Sequence, residues 1–236
     1  MIAWIGVAAL AAEPTVTELL DATDDIARGT SSHAMLEMAV KTANYERTMT
    51  MEAWSQGEDK SLVILRAPAK DAGVATLKVG DALWNYLPKV DRTMKLPAGM
   101  MSGAWMGSHL SNDDLVKSSR LADDYDAAIT ARPAQGGVWE VTLTPKPDAP
   151  VVWGRVVATI SADKIPMRIA FYAENGTLAR TQTFEGVTEI DGRRVPRVMT
   201  VIPADKPGEW TRITYQSLDF DVSLPPDTFS LQALKP

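Results

Sequence analysis

Residues 81–117 read DALWNYLPKVDRTMKLPAGMMSGAWMGSHLSNDDLVK, and the fold turns on how they are read. Residues 83–87 form a short aromatic strand. Residues 92–96 alternate Arg-Thr-Met-Lys-Leu and read as its antiparallel partner, with Pro88 and Asp91 in the turn. Pro97 and Gly99 then end regular structure. Met100-Met101-Ser102-Gly103-Ala104-Trp105-Met106-Gly107 follows, a loop too apolar for a solvated connection. Ser111 opens a short helix: Asp114 three residues on makes a capping-box-like start, and Asp113 and Asp114 suit the positive end of the helix dipole. The stretch reads as a flap that covers an apolar surface.

Working outward, the N-terminal side carries one helix and a run of strands. A helix is predicted over 14–28, opened by a Thr15/Glu18 capping box and stopped by Gly29, with Val16, Leu19, Leu20, Thr23, Ile26 and Ala27 on one face. From Ser32 the period changes from 3.6 to 2. Leu36, Met38 and Val40 alternate with Glu37, Ala39 and Lys41, and Arg47, Met49, Met51 and Ala53 form the next set. Turns at 56–59 and 68–73 separate further strands at 62–66 and 74–79. Short connections make this meander of about six strands antiparallel.

Beyond the flap, strands are predicted over 125–131, 138–144, 152–161, 167–173, 179–190, 195–202 and 210–222. Gln135-Gly136-Gly137, Glu174-Asn175-Gly176 and Asp191-Gly192 are turn signals between them. The Pro-rich loop 145–150 does not break the chain into domains, since strands of the same kind resume after it. The expectation is mainly β with a few helices: one antiparallel sheet of about ten to twelve strands, curled or closed, spanning a single domain over 13–236.

Composition limits the function. Cysteine is absent, which removes disulfides, thiol catalysis, thiolate metal sites and a lipid-modified N-terminal Cys. A net charge of −6 without a basic run argues against nucleic acid. Residues 1–12, MIAWIGVAALAA, read as the apolar region of a short secretory signal with an A-x-A-like cleavage site, although no Lys or Arg precedes it; a buried N-terminal element is the alternative. No stretch reaches 18 apolar residues, so a soluble, exported chain is expected.

The search for chemistry finds no G-x-S-x-G, H-E-x-x-H, P-loop or G-x-G-x-x-G. Ser108 and His109 are neighbours, but adjacent residues of an extended chain point to opposite faces. His33 has no acidic or His partner at ligand spacing and reads as exposed. Asn112-Asp113-Asp114 reads as a helix start and Asp123-Asp124-Tyr125-Asp126 as a solvated loop, not as cation sites. No cofactor, metal or catalytic residue is expected.

The run GDALWNYLPKVDRTMKLP…MMSGAWMGSHLSNDDLVK, residues 80–117, resembles bacterial outer-membrane lipoprotein-sorting proteins, the LolA/LolB-like periplasmic lipid or lipoprotein carriers. The resemblance implies a strongly curved antiparallel sheet, an incomplete barrel, with helices and a flap over its apolar concave face. It also implies a periplasmic protein that transports or senses acyl chains, and no catalysis. The alternative is an envelope sensor or accessory subunit that binds a protein partner such as an inner-membrane transporter.

The methionines single out a candidate lining, because flexible thioethers suit ligands of varied shape. Leu36, Met38, Val40, Met49 and Met51 on the first two strands, Trp84, Tyr86 and Met94 on the aromatic hairpin, and Met100, Met101, Trp105, Met106 and Leu110 in the flap are the expected cavity residues. For the strand methionines and Trp84, ordinary core packing is an equal reading. A monomer that binds the acyl chain of a lipoprotein or lipid is the expectation.

Overall fold

The computed structural model describes residues 13–24, 26, 28–117, 124–133 and 137–235. The signal-like run 1–12 lies outside them, as do Asp25, Ala27, Asp123, Gln135 and Gly136 of the readings above.

Thirteen strands form one antiparallel sheet. Its first half is a meander of β1 (Ser31–Lys41), β2 (Glu46–Gln56), β3 (Lys60–Ala67), β4 (Ala75–Val79), β5 (Ala82–Leu87) and β6 (Arg92–Lys95). The second half is β7 (Tyr125–Ala131), β8 (Val138–Pro145), β9 (Arg155–Ser161), β10 (Pro166–Tyr172), β11 (Leu178–Ile190), β12 (Arg193–Pro203) and β13 (Trp210–Phe220). The order across the sheet is β6-β5-β4-β3-β2-β1-β13-β12-β11-β10-β9-β8-β7. The two meanders are joined where β1 pairs with β13, from Ser32 opposite Phe220 to Lys41 opposite Trp210. The sheet is curved but not closed, and β6 and β7 are its free edges. The flap and α2 (Asn112–Lys117) therefore connect one edge of the sheet to the other.

The turn chemistry explains the register. Asp191 and Gly192 both take positive φ, 50° and 73°, which makes the two-residue hairpin between β11 and β12. Asn175 Oδ1 accepts from the Thr177 backbone N–H at 3.0 Å and its hydroxyl at 2.7 Å, and fixes the turn between β10 and β11. Across the loop 145–150, β8 and β9 pair directly, Leu143 opposite Val156.

Two faces result from the strand period of 2. On the inner face, Leu36, Met38, Val40, Met49, Met51 and Leu65 pack with Val195, Val201, Leu218 and Phe220. The same face continues over the second half as Trp139, Val141, Leu143, Val156, Ile169 and Phe171. There α1 (Val16–Asp24) covers it, burying Leu19 and Leu20 to 0% and 2% exposure. The described helix lies within the 14–28 expected. Its start is the capping box: the Thr15 N–H donates to Glu18 Oε2 at 2.9 Å, and the Glu18 N–H donates to Thr15 Oγ1 at 3.2 Å. Thr15→Ala is expected to cost about 1 kcal/mol, read as a shifted urea midpoint with an unchanged slope.

The outer face of β2–β5 has its own cover. Leu62, Ile64, Ala75 and Leu77 pack with Trp54, Trp84 and Tyr86 beneath Phe229 and Leu234 of the C-terminal segment. This corrects the placement of Trp84 and Tyr86. They sit on the face opposite Met38 and Met49, because in β5 it is Leu83 that turns toward the flap. Two large aromatics at alternate positions of a short strand suit either face. A C-terminal segment that supplies Leu234 decides between them.

Candidate functional site

The site is the inner face of β1–β4 together with the flap lying on it. Trp105 and Leu110 are buried to 4% and 7% exposure in the same cluster as Leu36, Met38, Val40, Met49 and Met51, and Met106 packs against it. Met101 packs instead with Leu83, Leu96 and Val116. Met94 and Met100 line a cavity beside the flap, Met100 being 51% exposed. Thus eight of the thirteen expected residues meet in one place, three lie along the margin of the flap, and Trp84 and Tyr86 are on the other side of the sheet.

The flap is organised by its own hydrogen bonds. The Trp105 N–H donates to the Leu110 carbonyl at 2.7 Å, and Ala104 bridges to Ser111. Asn112, nearly buried, donates its side-chain amide to the carbonyls of Met100 and Gly103, each at 3.1 Å. The chain reverses at Met106 and Gly107, with φ of 46° and 66°. A Cβ on Gly107 would stand 3.0 Å from Tyr45 Oη and 3.2 Å from Arg47 Nη2, so close approach and positive φ both select glycine there. The turn carries the carbonyls of Met106 and Gly107 outward, where Arg47 and the Tyr45 hydroxyl donate to them.

Further polar contacts anchor the flap to the sheet. The Trp105 indole donates to Thr76 Oγ1 at 3.2 Å. His109, 8% exposed at its side chain, has its backbone N–H on Thr211 Oγ1 at 2.9 Å, its Nδ1 2.8 Å from the same hydroxyl, and its Nε2 2.9 Å from Glu209 Oε2. One arrangement satisfies all three: the Thr211 hydroxyl donates to Nδ1, and Nε2–H donates to the carboxylate. The His109 hydrogen bond, followed by that of the Ala43 N–H, holds Glu209 below the usual carboxylate range. His109 is thus an anchor, and Ser108 Oγ accepts from the Leu110 N–H at 3.1 Å instead of pairing with the imidazole.

The strongest anchor was not foreseen. Arg180 of β11 grips Asp114 of α2 through both terminal guanidinium nitrogens, Nη2 at 2.5 Å and Nη1 at 2.7 Å, with side-chain exposures of 8% and 16%. The guanidinium lies over the rings of Trp153 and Phe171, 4.8 and 4.5 Å from their centroids. Asp114 also accepts from the Ser111 N–H and hydroxyl, so the residue read as a helix cap also holds an ion pair. Burial raises the Asp114 pKa, but the Arg180 hydrogen bonds and charge, with those from Ser111, outweigh it and hold the carboxyl below its ordinary value.

His33 is a second correction. It is not a lone exposed ring: Nε2 lies 2.8 Å from Glu52 Oε1 across the β1–β2 ladder, and the imidazole stacks on Trp54 at 5.3 Å. It belongs to the outer side, away from the flap.

Two hollows flank the flap. One, of about 520 Å³, lies against β4–β6 and is lined by Val74, Thr76, Leu87, Met94, Met100 and Met106 among others. The other, of about 590 Å³, opens toward β11 and is lined by Met101, Leu110, Trp153, Arg180 and Lys206 among others. Gly99, Ser102 and Ala104 border both, so the flap is the partition between them. Among the described residues, no group on this face is arranged as a nucleophile with a base. The face offers apolar area that the chain itself has filled, held by polar contacts at the edges.

An open, curved antiparallel sheet with a helix and a flap on its inner face is the LolA-like fold. Solved structures agree along nearly the whole chain. A DUF1329 family protein from Desulfovibrio piger superposes with a TM-score of 0.82 at 23% identity, covering 93% of this chain and 98% of that one. An outer membrane lipoprotein-sorting protein domain from Vibrio parahaemolyticus gives 0.79 at 24%, covering 93% and 96%. A LolA superfamily protein from Nitrosomonas europaea gives 0.77 at 22%, covering 94% and 100%. A protein-family model described as "Uncharacterized protein" matches residues 57–236, and the chain belongs to that family. No curated protein matches it by sequence. Among the described residues, no helix is long and apolar enough to cross a membrane.

Proposed function

We propose that the protein is a periplasmic, non-enzymatic carrier that binds the acyl chain of a lipoprotein or lipid on the inner face of its sheet and delivers it toward the outer membrane. The observation that carries this reading is the seat of Trp105, Met106 and Leu110 on Met38, Met49 and Met51. A loop that links the two sheet edges, not the sheet itself, fills the apolar face. Such a filling can be exchanged for a ligand of the same chemistry without unfolding the strands.

Energetics favour this design for a carrier. An acyl chain gains on the order of 0.8 kcal/mol for each CH₂ it buries. A protein that kept the whole gain would not release its cargo. Displacing the self-packed flap offsets much of it, and binding becomes reversible. Outer membrane lipoprotein-sorting and LolA superfamily are the descriptions of two of the structural neighbours, which supports the same reading.

Titration with a fluorescent fatty acyl probe, beside native mass spectrometry of protein purified from the periplasm, tests the proposal. Saturable probe binding and a co-purified, exchangeable lipid are the expected results. A stable complex with a transporter subunit and no affinity for the probe would replace the carrier by an accessory role.

A further inference from the structure

We propose that the end of the sheet formed by the β5–β6 turn and the β3–β4 loop is a docking surface for an anionic lipid bilayer. The inference goes beyond the carrier reading: it says where the protein meets a membrane and which charge it meets. It rests on exposed residues of one rim, not on the buried face.

Charge is the first observation. The whole chain carries −6, yet residues 60–100 hold seven lysines and arginines against three aspartates. The β3–β4 loop and the β5–β6 turn touch, since a Cβ on Gly73 would stand 3.4 Å from Pro88 Cγ. Lys89 reaches from the turn to Asp71 of the loop at 3.3 Å. Asp91 is taken by Lys235, 2.8 Å away. The two acidic groups at this end are therefore each matched by a lysine. Lys70 and Arg92 are exposed and make no ion pair among the described residues, so the rim keeps a positive excess.

The second observation is apolar exposure in the same place. Val90, in the short 3₁₀ turn between β5 and β6, is 65% exposed, and Leu87 at the end of β5 is 39% exposed. Met100, 51% exposed, shares the lining of the 520 Å³ hollow with Leu87. The cavity thus opens beside a rim on which large apolar side chains lie among the cations Lys70, Lys89 and Arg92, of which Lys89 is paired with Asp71. Isolated exposed apolar residues need no explanation. Three of them interleaved with cations fit an anionic headgroup layer: cations meet the phosphates while the apolar tips enter the boundary beneath. A bilayer is also a surface from which a cavity opening at this rim receives or delivers an acyl chain.

The test is co-sedimentation of the ligand-free protein with vesicles of phosphatidylcholine alone or mixed with phosphatidylglycerol. The protein should sediment with the mixed vesicles, weakly with phosphatidylcholine, and less as salt rises. Each cation brought to an anionic surface is worth roughly fivefold in affinity, so Lys70→Glu/Arg92→Glu should weaken binding twenty-fold or more. Val90→Ser, which removes the apolar tip and adds no charge, should weaken it without the salt dependence changing. Both variants alter exposed positions, and their urea melts and acyl-probe binding should match the parent's. No sedimentation, equal sedimentation with both vesicle types, or variants that bind like the parent would each overturn the proposal. Competition by inorganic phosphate as effective as that by vesicles would also overturn it, in favour of a discrete phosphate site. If the parent sediments but binds no acyl probe, the carrier reading falls and this one stands.

Discussion

Asp114→Ala is expected to destabilise the protein by about 3–5 kcal/mol, because it leaves the Arg180 guanidinium buried without its counter-charge. Arg180 cannot turn to water cheaply: it is sandwiched against Trp153 and Phe171. Its Nε already lacks a partner, so the carboxylate carries most of the compensation. Urea melts measure the loss. Asp114→Leu combined with Arg180→Met should recover much of it, since a buried pair replaced as a whole by apolar groups is often neutral or better. If the single variant melted like the parent, the pair would not be holding α2 to β11.

The same pair sets a pH dependence. The Asp114 carboxyl is held below its ordinary value in the folded protein, so the unfolded chain takes up the proton first as pH falls. Its contribution to stability is present in full at neutral pH. It is lost as pH drops through the ordinary carboxylate range and then through the lowered folded value. Stability measured down that range should fall more steeply in the parent than in Asp114→Asn, which has no proton to gain. Loss of the pair frees the end of the flap, so the protection of amides 105–112 relative to their intrinsic exchange rates should fall over the same interval.

The parts of this structure that were legible in the sequence are those set by neighbours along the chain. Leu36, Met38 and Val40 announce β1 by their period, and Asp191-Gly192 announces its hairpin by the φ values it permits. Thr15 and Glu18 name the helix start, and the described helix runs over Val16–Asp24 within the 14–28 expected. The sheet has thirteen strands among the described residues against the ten to twelve expected, although the segments read along the chain, six before the flap and seven after it, already match them. The apolar character of Met100–Gly107 announces only part of its packing: Trp105 is buried and Met106 packs on the inner face as expected, but Met100 is 51% exposed and Met101 packs at the margin with Leu83 and Val116. What a short segment cannot encode is which of two apolar faces meets which cover. Trp84 and Tyr86 look as suitable for the cavity as Leu83, and the choice is made by Leu234 at the far end of the chain. Arg180 and Asp114 are 66 residues apart, and no local pattern couples them. His33 and Glu52 meet only once the β1–β2 register is fixed, Met35 standing opposite Glu52.

Trp105→Ala is the substitution that separates a displaced flap from a merely structural one. The indole is 4% exposed, packs among the apolar side chains of the inner face and donates to Thr76 Oγ1. Removing it should cost the ligand-free protein roughly 3–5 kcal/mol, the range for truncating a buried aromatic. If an acyl chain displaces the flap, the contacts of Trp105 are already lost in the loaded state, so the variant's loaded and empty states differ in stability by more than the parent's. Acyl-probe affinity should then rise while the urea midpoint falls. A tryptophan that serves packing alone would lower the midpoint and leave the loaded protein equally weakened, with no relative gain in affinity. A tryptophan that touches only cargo would weaken probe binding and leave the empty protein's melt unchanged. Melts of the ligand-free variant, run beside the probe titration, distinguish the three outcomes, and either of the last two would defeat the exchange of flap for cargo.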